Sequence, residues 1–260
     1  MTLDYVAHLK GETERFLSVL RGADPTLQVP GCPDWDAADL LWHLGEVQWF
    51  WATIVSRRLQ DPEAAEADKP SRPGSQDALV TFLEDAHGQL VEALSSADPA
   101  EQVWMWAEDQ TVGYVRRRQA NEALIHRLDA EQTVGAVTPL DPLLSTDALH
   151  EVFTTIFGGV PDWGTFTPSG RSVQLEPADG PGPLQIGLGR FTGTSPASGT
   201  AYDDPACELA STDSPSATVT GTAGDLAAWA WGRGDLSRLT VTGDQGAVSD
   251  LTAVLDLGVE

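Results

Sequence analysis

Glu122 and His126 stand four residues apart in RRRQANEALIHRLDAE, and His43 lies in CPDWDAADLLWHLGEV. On a helix, residues i and i+4 project from one face, so this carboxylate and imidazole would aim at a common point. An imidazole from a second helix would complete three metal ligands and leave coordination positions open. A catalytic zinc needs that layout, whereas structural zincs are closed by four protein ligands. Iron, nickel or manganese would accept the same donors. A bare Glu-x-x-x-His pattern also recurs in helices that hold no metal, so the three residues also read as a solvated pair and a core histidine. Arg118 precedes Glu122 by four residues and shares its stripe. It could orient the carboxylate or form an ion pair worth under about 1 kcal/mol. Asp39 and Glu46 flank His43 at −4 and +3, and Asp129 follows His126 at +3; each could accept the N–H of an imidazole.

These side chains need helices, and the apolar spacing supplies them. Leu9, Phe16, Leu17 and Leu20 recur at helical spacing over 3–20, before a Gly-Ala-Asp-Pro break. After Pro30 and Pro33, Asp34 or Asp36 can cap a helix over 37–59 with Leu40, Leu41, Leu44, Val47, Trp51, Ile54 and Val55 on one stripe. The polar, proline-bearing stretch 61–74 reads as a loop, and further helices are expected over 75–94 and 114–132. Four such helices predict a four-helix bundle, whose core suits metal ligands on facing helices. Trp42, Trp49 and Trp51 read as bundle core, and Cys32 as a packing residue at a helix entry.

Beyond 137–145, a proline-bearing linker, the composition turns to Gly, Pro, Ser and Thr. A short helix is expected over 146–157, short strands over 172–176, 184–188, 217–220 and 239–242, and helices over 222–231 and 246–257. The fold class is therefore α+β with two domains, 1–136 a helical bundle and 145–260 a small α+β domain.

Composition narrows the partners. The chain carries 39 acidic and 15 basic residues for a net charge of −24, with each side of Leu140 at −12. Acidity spread this evenly favours solubility over a binding tail. Nucleic acid and anionic membrane are excluded as main partners, because no basic stripe exists to release counterions and Arg116-Arg117-Arg118 is too short to make one. Two distant cysteines, Cys32 and Cys207, argue against a disulfide framework. The opening MTLDYVAHLK has neither a positive start nor an apolar run, and no stretch approaches a membrane span, so the chain reads as cytoplasmic. Gly187-Leu188-Gly189 lacks the setting of a nucleotide-binding loop.

Three segments carry a family resemblance. Cys32-Pro33-Asp34-Trp35 followed by Trp42-His43-Leu44-Gly45 resembles the opening motif of the mycothiol-dependent maleylpyruvate isomerase family. The stretch from Asn121-Glu122 through His126-Arg127-Leu128-Asp129-Ala130-Glu131 resembles its second motif. The tail, from Ala217-Thr218-Val219 through Trp231-Gly232-Arg233 to Gly243-Asp244, is similar to that family's small C-terminal domain, although 192–215 matches poorly. The resemblance implies a DinB-like metal-binding bundle in which His43, Glu122 and His126 are zinc ligands. It also implies mycothiol as thiol cosubstrate, and an electrophilic small molecule as second substrate.

A cation beside a thiol stabilises the nucleophilic thiolate. Such a thiolate could isomerise an activated cis double bond by adding, permitting rotation and leaving, or could be transferred to an electrophile. Arg233, in a Gly-flanked turn after a predicted helix, is the candidate catalytic cation for an anionic substrate in a cleft between domains; it could equally cap that helix. Arg118 is the candidate cofactor-binding residue nearer the metal, with Arg117 beside it. A hydrolase using metal-bound water and a non-catalytic metal or thiol sensor are the competing readings.

Overall fold

The computed structural model describes residues 3–258. The chain divides into two compact units, one ending at Pro139 and the next beginning at Leu140. The first holds α1 (Tyr5–Leu20), α2 (Ala37–Arg57), a single turn α3 (Glu63–Glu66), α4 (Gln76–Ser96) and α5 (Val112–Val134). The four long helices form a bundle in which α2 packs on α4 and α1 on α5, with α2–α5 and α1–α4 contacts closing the ring. Each begins where a short polar side chain, Asp4, Asp36, Ser75 or Thr111, accepts a first-turn backbone N–H, an arrangement worth about 1 kcal/mol per helix. At Asp36 the cap is reciprocal, because the Asp39 side chain accepts the Asp36 N–H in return.

Phe16, Leu20, Leu40, Leu41, Leu44 and Leu83 are fully buried in one cluster, against which Cys32, Trp35 and Trp42 pack. Gly45 sets the approach of α2 to α4: a Cβ there would lie 2.9 Å from the Phe82 ring.

Unlike its neighbours, α5 buries charged and polar residues along with apolar ones, among them Arg118, Gln119, His126, Arg127, Asp129 and Glu131. Buried charges persist only when paired, and these are. Arg127 donates to Glu12 at 2.7 Å on α1 and to Glu131 at 3.1 Å on its own helix. Arg15 donates to Glu131 at 2.7 Å. The Thr138 backbone N–H donates to the same carboxylate at 2.7 Å, fixing the chain as it leaves the bundle. The arginine run at 116–118 divides its labour. Arg116 donates to the Ala97 carbonyl at 2.9 Å beyond the end of α4, and the Arg117 guanidinium lies 6.0 Å from the centre of the Tyr114 ring. Arg118 reaches Glu122.

The second unit opens with α6 (Pro142–Glu151), which widens into a π turn over Val152–Ile156. Five strands follow, β1 (Gly164–Pro177), β2 (Leu184–Thr194), β3 (Ala201–Leu209), β4 (Ala217–Gly221) and β5 (Thr240–Gly243), with α7 (Ala223–Ala230) and α8 (Gln245–Leu255) after β4 and β5. The sheet order is β3-β2-β1-β4-β5, antiparallel throughout except for β1 beside β4. Alternation puts Val173 and Leu175, Leu184, Ile186 and Leu188, and Ala217 and Val219 on one buried face, and α8 packs on these strands. Among the described residues no helix is long and apolar enough to cross a membrane.

Three expectations are corrected here. The linker over 137–145 ends early, because Asp141 caps α6 and Pro142 occupies its first turn, where a missing N–H costs nothing. The loop over 61–74 contains α3. The stretch 192–215 contains β3, hidden because Asp203-Asp204-Pro205 breaks the alternating pattern; an edge strand tolerates proline and charge.

Arg127→Met should cost about 3 kcal/mol, since it leaves Glu12 and Glu131 without that guanidinium. Urea unfolding measures this, and a loss below about 0.5 kcal/mol, within the range of ordinary surface substitutions, would mean the network is not what holds α5 to α1.

Candidate metal centre

His43 projects from α2 and Glu122 and His126 from α5, and one ligand atom from each lies within 4.8 Å of the other two. The Glu122 Oε1 atom is the hub, 3.3 Å from His43 Nε2 and 3.1 Å from His126 Nε2. The imidazole centroids are 4.8 Å apart and nearly edge to face. Exposure falls across the cluster, from 26% for the His43 side chain to 14% for Glu122 and 7% for His126. The cluster is thus recessed, with His43 its most exposed member.

Each ligand candidate is held by a second group. The second Glu122 oxygen, Oε2, takes the Arg118 guanidinium, which leaves Oε1 facing the histidines. His126 Nδ1–H donates to Asp129 Oδ2 at 2.9 Å, so its Nε2 is the atom turned inward. A carboxylate behind a metal-binding imidazole fixes both ring orientation and tautomer. Trp35 covers the rings, with its centroid 4.6 Å from that of His43 and 6.3 Å from that of His126. It sits there because a tight turn, with the Trp35 N–H donating to the Cys32 carbonyl at 2.9 Å, precedes the Asp36 cap.

Electrostatics follow from this packing. Burial pushes the Glu122 carboxyl up, but Arg118 and then His126 outweigh it and hold Glu122 well below the usual range, hence ionised. Burial pushes His126 down, yet the Glu122 charge and the Asp129 hydrogen bond prevail and raise it to about 9. Without a cation, both His126 nitrogens therefore carry protons at neutral pH and the cluster is a closed ion pair. Two imidazoles and an ionised carboxylate converging from two helices make a fitting donor set for a borderline divalent cation, with positions left for a further ligand.

The sequence-derived candidates separate into two groups. His43, Glu122, His126 and Arg118 come together. Arg233 belongs to the second unit, just past α7, where it is half-buried and donates from Nη1 to the Trp231 carbonyl at 2.8 Å. Of the carboxylates flanking the histidines, Asp129 supports an imidazole. Asp39 and Glu46 instead pair with Arg72 and Lys69. Trp35 is the site residue that sequence reasoning left without a role; its signals were its place in the Cys32–Trp35 motif and immediately before the capping aspartate.

A cation binding here must displace the His126 Nε2 proton. Zinc titrated into metal-free protein should release protons into a weakly buffered solution. Its apparent affinity should climb as pH rises from 7 and level off above about 9, by up to about tenfold per pH unit. Glu122, already ionised, adds no such dependence. Asp129→Asn should weaken zinc binding by about 10- to 100-fold, measured by competition with a chromogenic chelator; an unchanged affinity would remove Asp129 from the site.

Comparison with known proteins agrees with this architecture. The family description "Mycothiol maleylpyruvate isomerase N-terminal domain" matches residues 6–131, and "MDMPI C-terminal domain" matches residues 144–250. No curated protein sequence matches the chain. Two crystal structures of mycothiol-dependent maleylpyruvate isomerase, one of them of a point mutant, superpose with TM-scores of 0.57 and 0.60. Each shares 15% identity and covers 93% of this chain and 93% of its own, a likeness of fold. With both domains matched in order and the fold shared end to end, the chain belongs to the mycothiol-dependent maleylpyruvate isomerase family.

Proposed function

We propose that this protein is a thiol-dependent isomerase in which His43, Glu122 and His126 hold a divalent cation, zinc first among the candidates, and mycothiol is the thiol cosubstrate. The observation that carries this reading is the convergence of three donor atoms within 4.8 Å on facing helices, in a chain of the family named for that thiol and that isomerisation. A divalent cation beside a thiol stabilises its thiolate, and a thiolate that adds to an activated cis double bond and leaves after rotation yields the trans isomer unchanged in composition.

The chain's own residues prepare the site. Asp129 keeps His126 Nε2 turned inward, and Arg118 fixes Glu122 so that one oxygen serves the cluster. Trp35 walls off one side of both imidazoles, leaving entry to the more exposed His43 side. In a chain with a net charge of −24, an anionic substrate needs a dedicated cation. Arg233 is proposed for that role on charge, and Arg118 for contact with the thiol cosubstrate. The bundle and the sheet-bearing unit are proposed as the working domains, with the boundary in the short segment after α5.

Metal analysis of wild type beside His126→Ala, with mycothiol titrated into each and maleylpyruvate supplied as substrate, tests the proposal. Wild type should hold about one equivalent of zinc and isomerise only with thiol present. The variant should lose metal, and its rate should fall by at least about a hundredfold. A stable thioether in place of the trans product would reassign the chain as a thiol transferase. A wild type that takes up no metal when zinc is resupplied would end the three-ligand reading.

A further inference from the structure

Between α2 and α4 the chain makes an excursion over 58–74 that is tied back to α2 by ion pairs. Arg57 reaches Asp68 at 2.7 Å, Lys69 reaches Glu46 at 2.6 Å and Arg72 reaches Asp39 at 2.6 Å. Asp39 and Glu46 lie one turn before and one turn after His43, and the three residues fall within about 60° of arc on the helix. Seven residues of helix rise about 10 Å, and a four-residue stretch reaches that far only when extended. The two pairs run in opposite chain order, so the stretch 69–72 crosses α2 antiparallel, between the turns that carry Glu46 and Asp39 on either side of His43. Lys69 and Arg72 each precede a proline, Pro70 and Pro73, which favours that extended backbone.

Beyond the backbone hydrogen bonds of residues 58 and 59 at the end of α2, three ion pairs join the strap to that helix. All three ion pairs reach solvent. A cavity of about 210 Å³ remains in this region, lined by Val47, Phe50 and Trp51 of α2 and by Glu66 and Lys69 of the strap. Ala65 is its buried apolar anchor. The Glu46 hydrogen bond raises Lys69 above its ordinary value, and the Asp36 N–H and then Arg72 hold Asp39 below its own, so Lys69 and Asp39 are charged at neutral pH. Exposed ion pairs are individually weak and are screened by salt.

We propose that segment 58–74 is a salt-sensitive latch along the His43 face of α2, closed by Lys69–Glu46 and Arg72–Asp39, and that its release admits small ligands to His43, Glu122 and His126. It rests on the cluster being a ligand site, as proposed above. Lys69 and Arg72 govern entry and act through the position of the strap.

Carbethoxylation of His43 by diethylpyrocarbonate, a small neutral reagent, tests the latch on the full chain stripped of metal. Mass spectrometry reads the His43 rate against His8 in the same molecule. This readout needs no bound metal, so it stands or falls separately from the metal reading. At about 10 mM salt, where the screening length is about 30 Å, the Lys69→Gln/Arg72→Gln variant should react roughly two- to tenfold faster than wild type. Near 1 M salt, where that length is about 3 Å, wild type should rise to meet it while the variant stays level. The swap Glu46→Lys with Lys69→Glu, carrying the second pair unchanged, should restore the slow rate at low salt. Equal rates for wild type and variant at low salt would overturn the latch, as would a difference undiminished by salt or a swap as fast as the double variant.

Discussion

Burying charge on α5 is the constraint around which the first unit is built. A helix that carries Arg118, His126, Arg127, Asp129 and Glu131 into the interior can fold only if each charge meets a partner. On one side, Arg127 and Glu131 find Glu12 and Arg15 of α1. On the other, Glu122 and His126 meet His43 of α2. The apolar faces of α1, α2 and α4 supply the bulk of the driving force, while the polar pairs fix how α5 sits among them. A buried ion pair is weak evidence for stability; here its value is geometric, because it holds three donor atoms at one point.

That geometry has an electrostatic cost which the site offsets locally. Glu122 would resist burial as an anion, and His126 would resist it as a cation. Together, with Arg118 and Asp129 behind them, both are charged. The result is a pre-assembled pair that a divalent cation can open by taking the place of a proton. The support runs outward in layers: Asp129 and Arg118 hold His126 and Glu122, Trp35 covers the imidazoles, and the Cys32–Trp35 turn and the Asp36 cap hold Trp35. Segment 58–74 is ion-paired to Asp39 and Glu46, which lie on the stripe of α2 that presents His43.

Much of the bundle was legible from sequence, because burial on one face imposes a 3.6-residue period on α1, α2 and α4, and short polar residues mark where each begins. The metal candidates were legible as well, since a helix at 122–126 fixes the spacing of Glu122 and His126 without reference to anything else. The sheet was less legible. β3 has charge and proline where an interior strand would alternate, and the register of an edge strand is written in its neighbours. Trp35 was given no role of its own, because an aromatic residue beside a helix cap carries no sign of what lies over it.

What the sequence determined by itself was local: helix period, caps, and the i, i+4 pairing of carboxylate with imidazole. Which carboxylate supports which imidazole, and where Asp39 and Glu46 send their charges, were decided only in three dimensions; His43 was pointed to by the motif resemblance, but its approach to the pair is tertiary. The physical reason is separation along the chain. His43 and Glu122 lie 79 positions apart, and no periodicity reaches across such an interval. Their meeting comes from the packing of α2 against α5, and from the requirement that every buried charge find its partner.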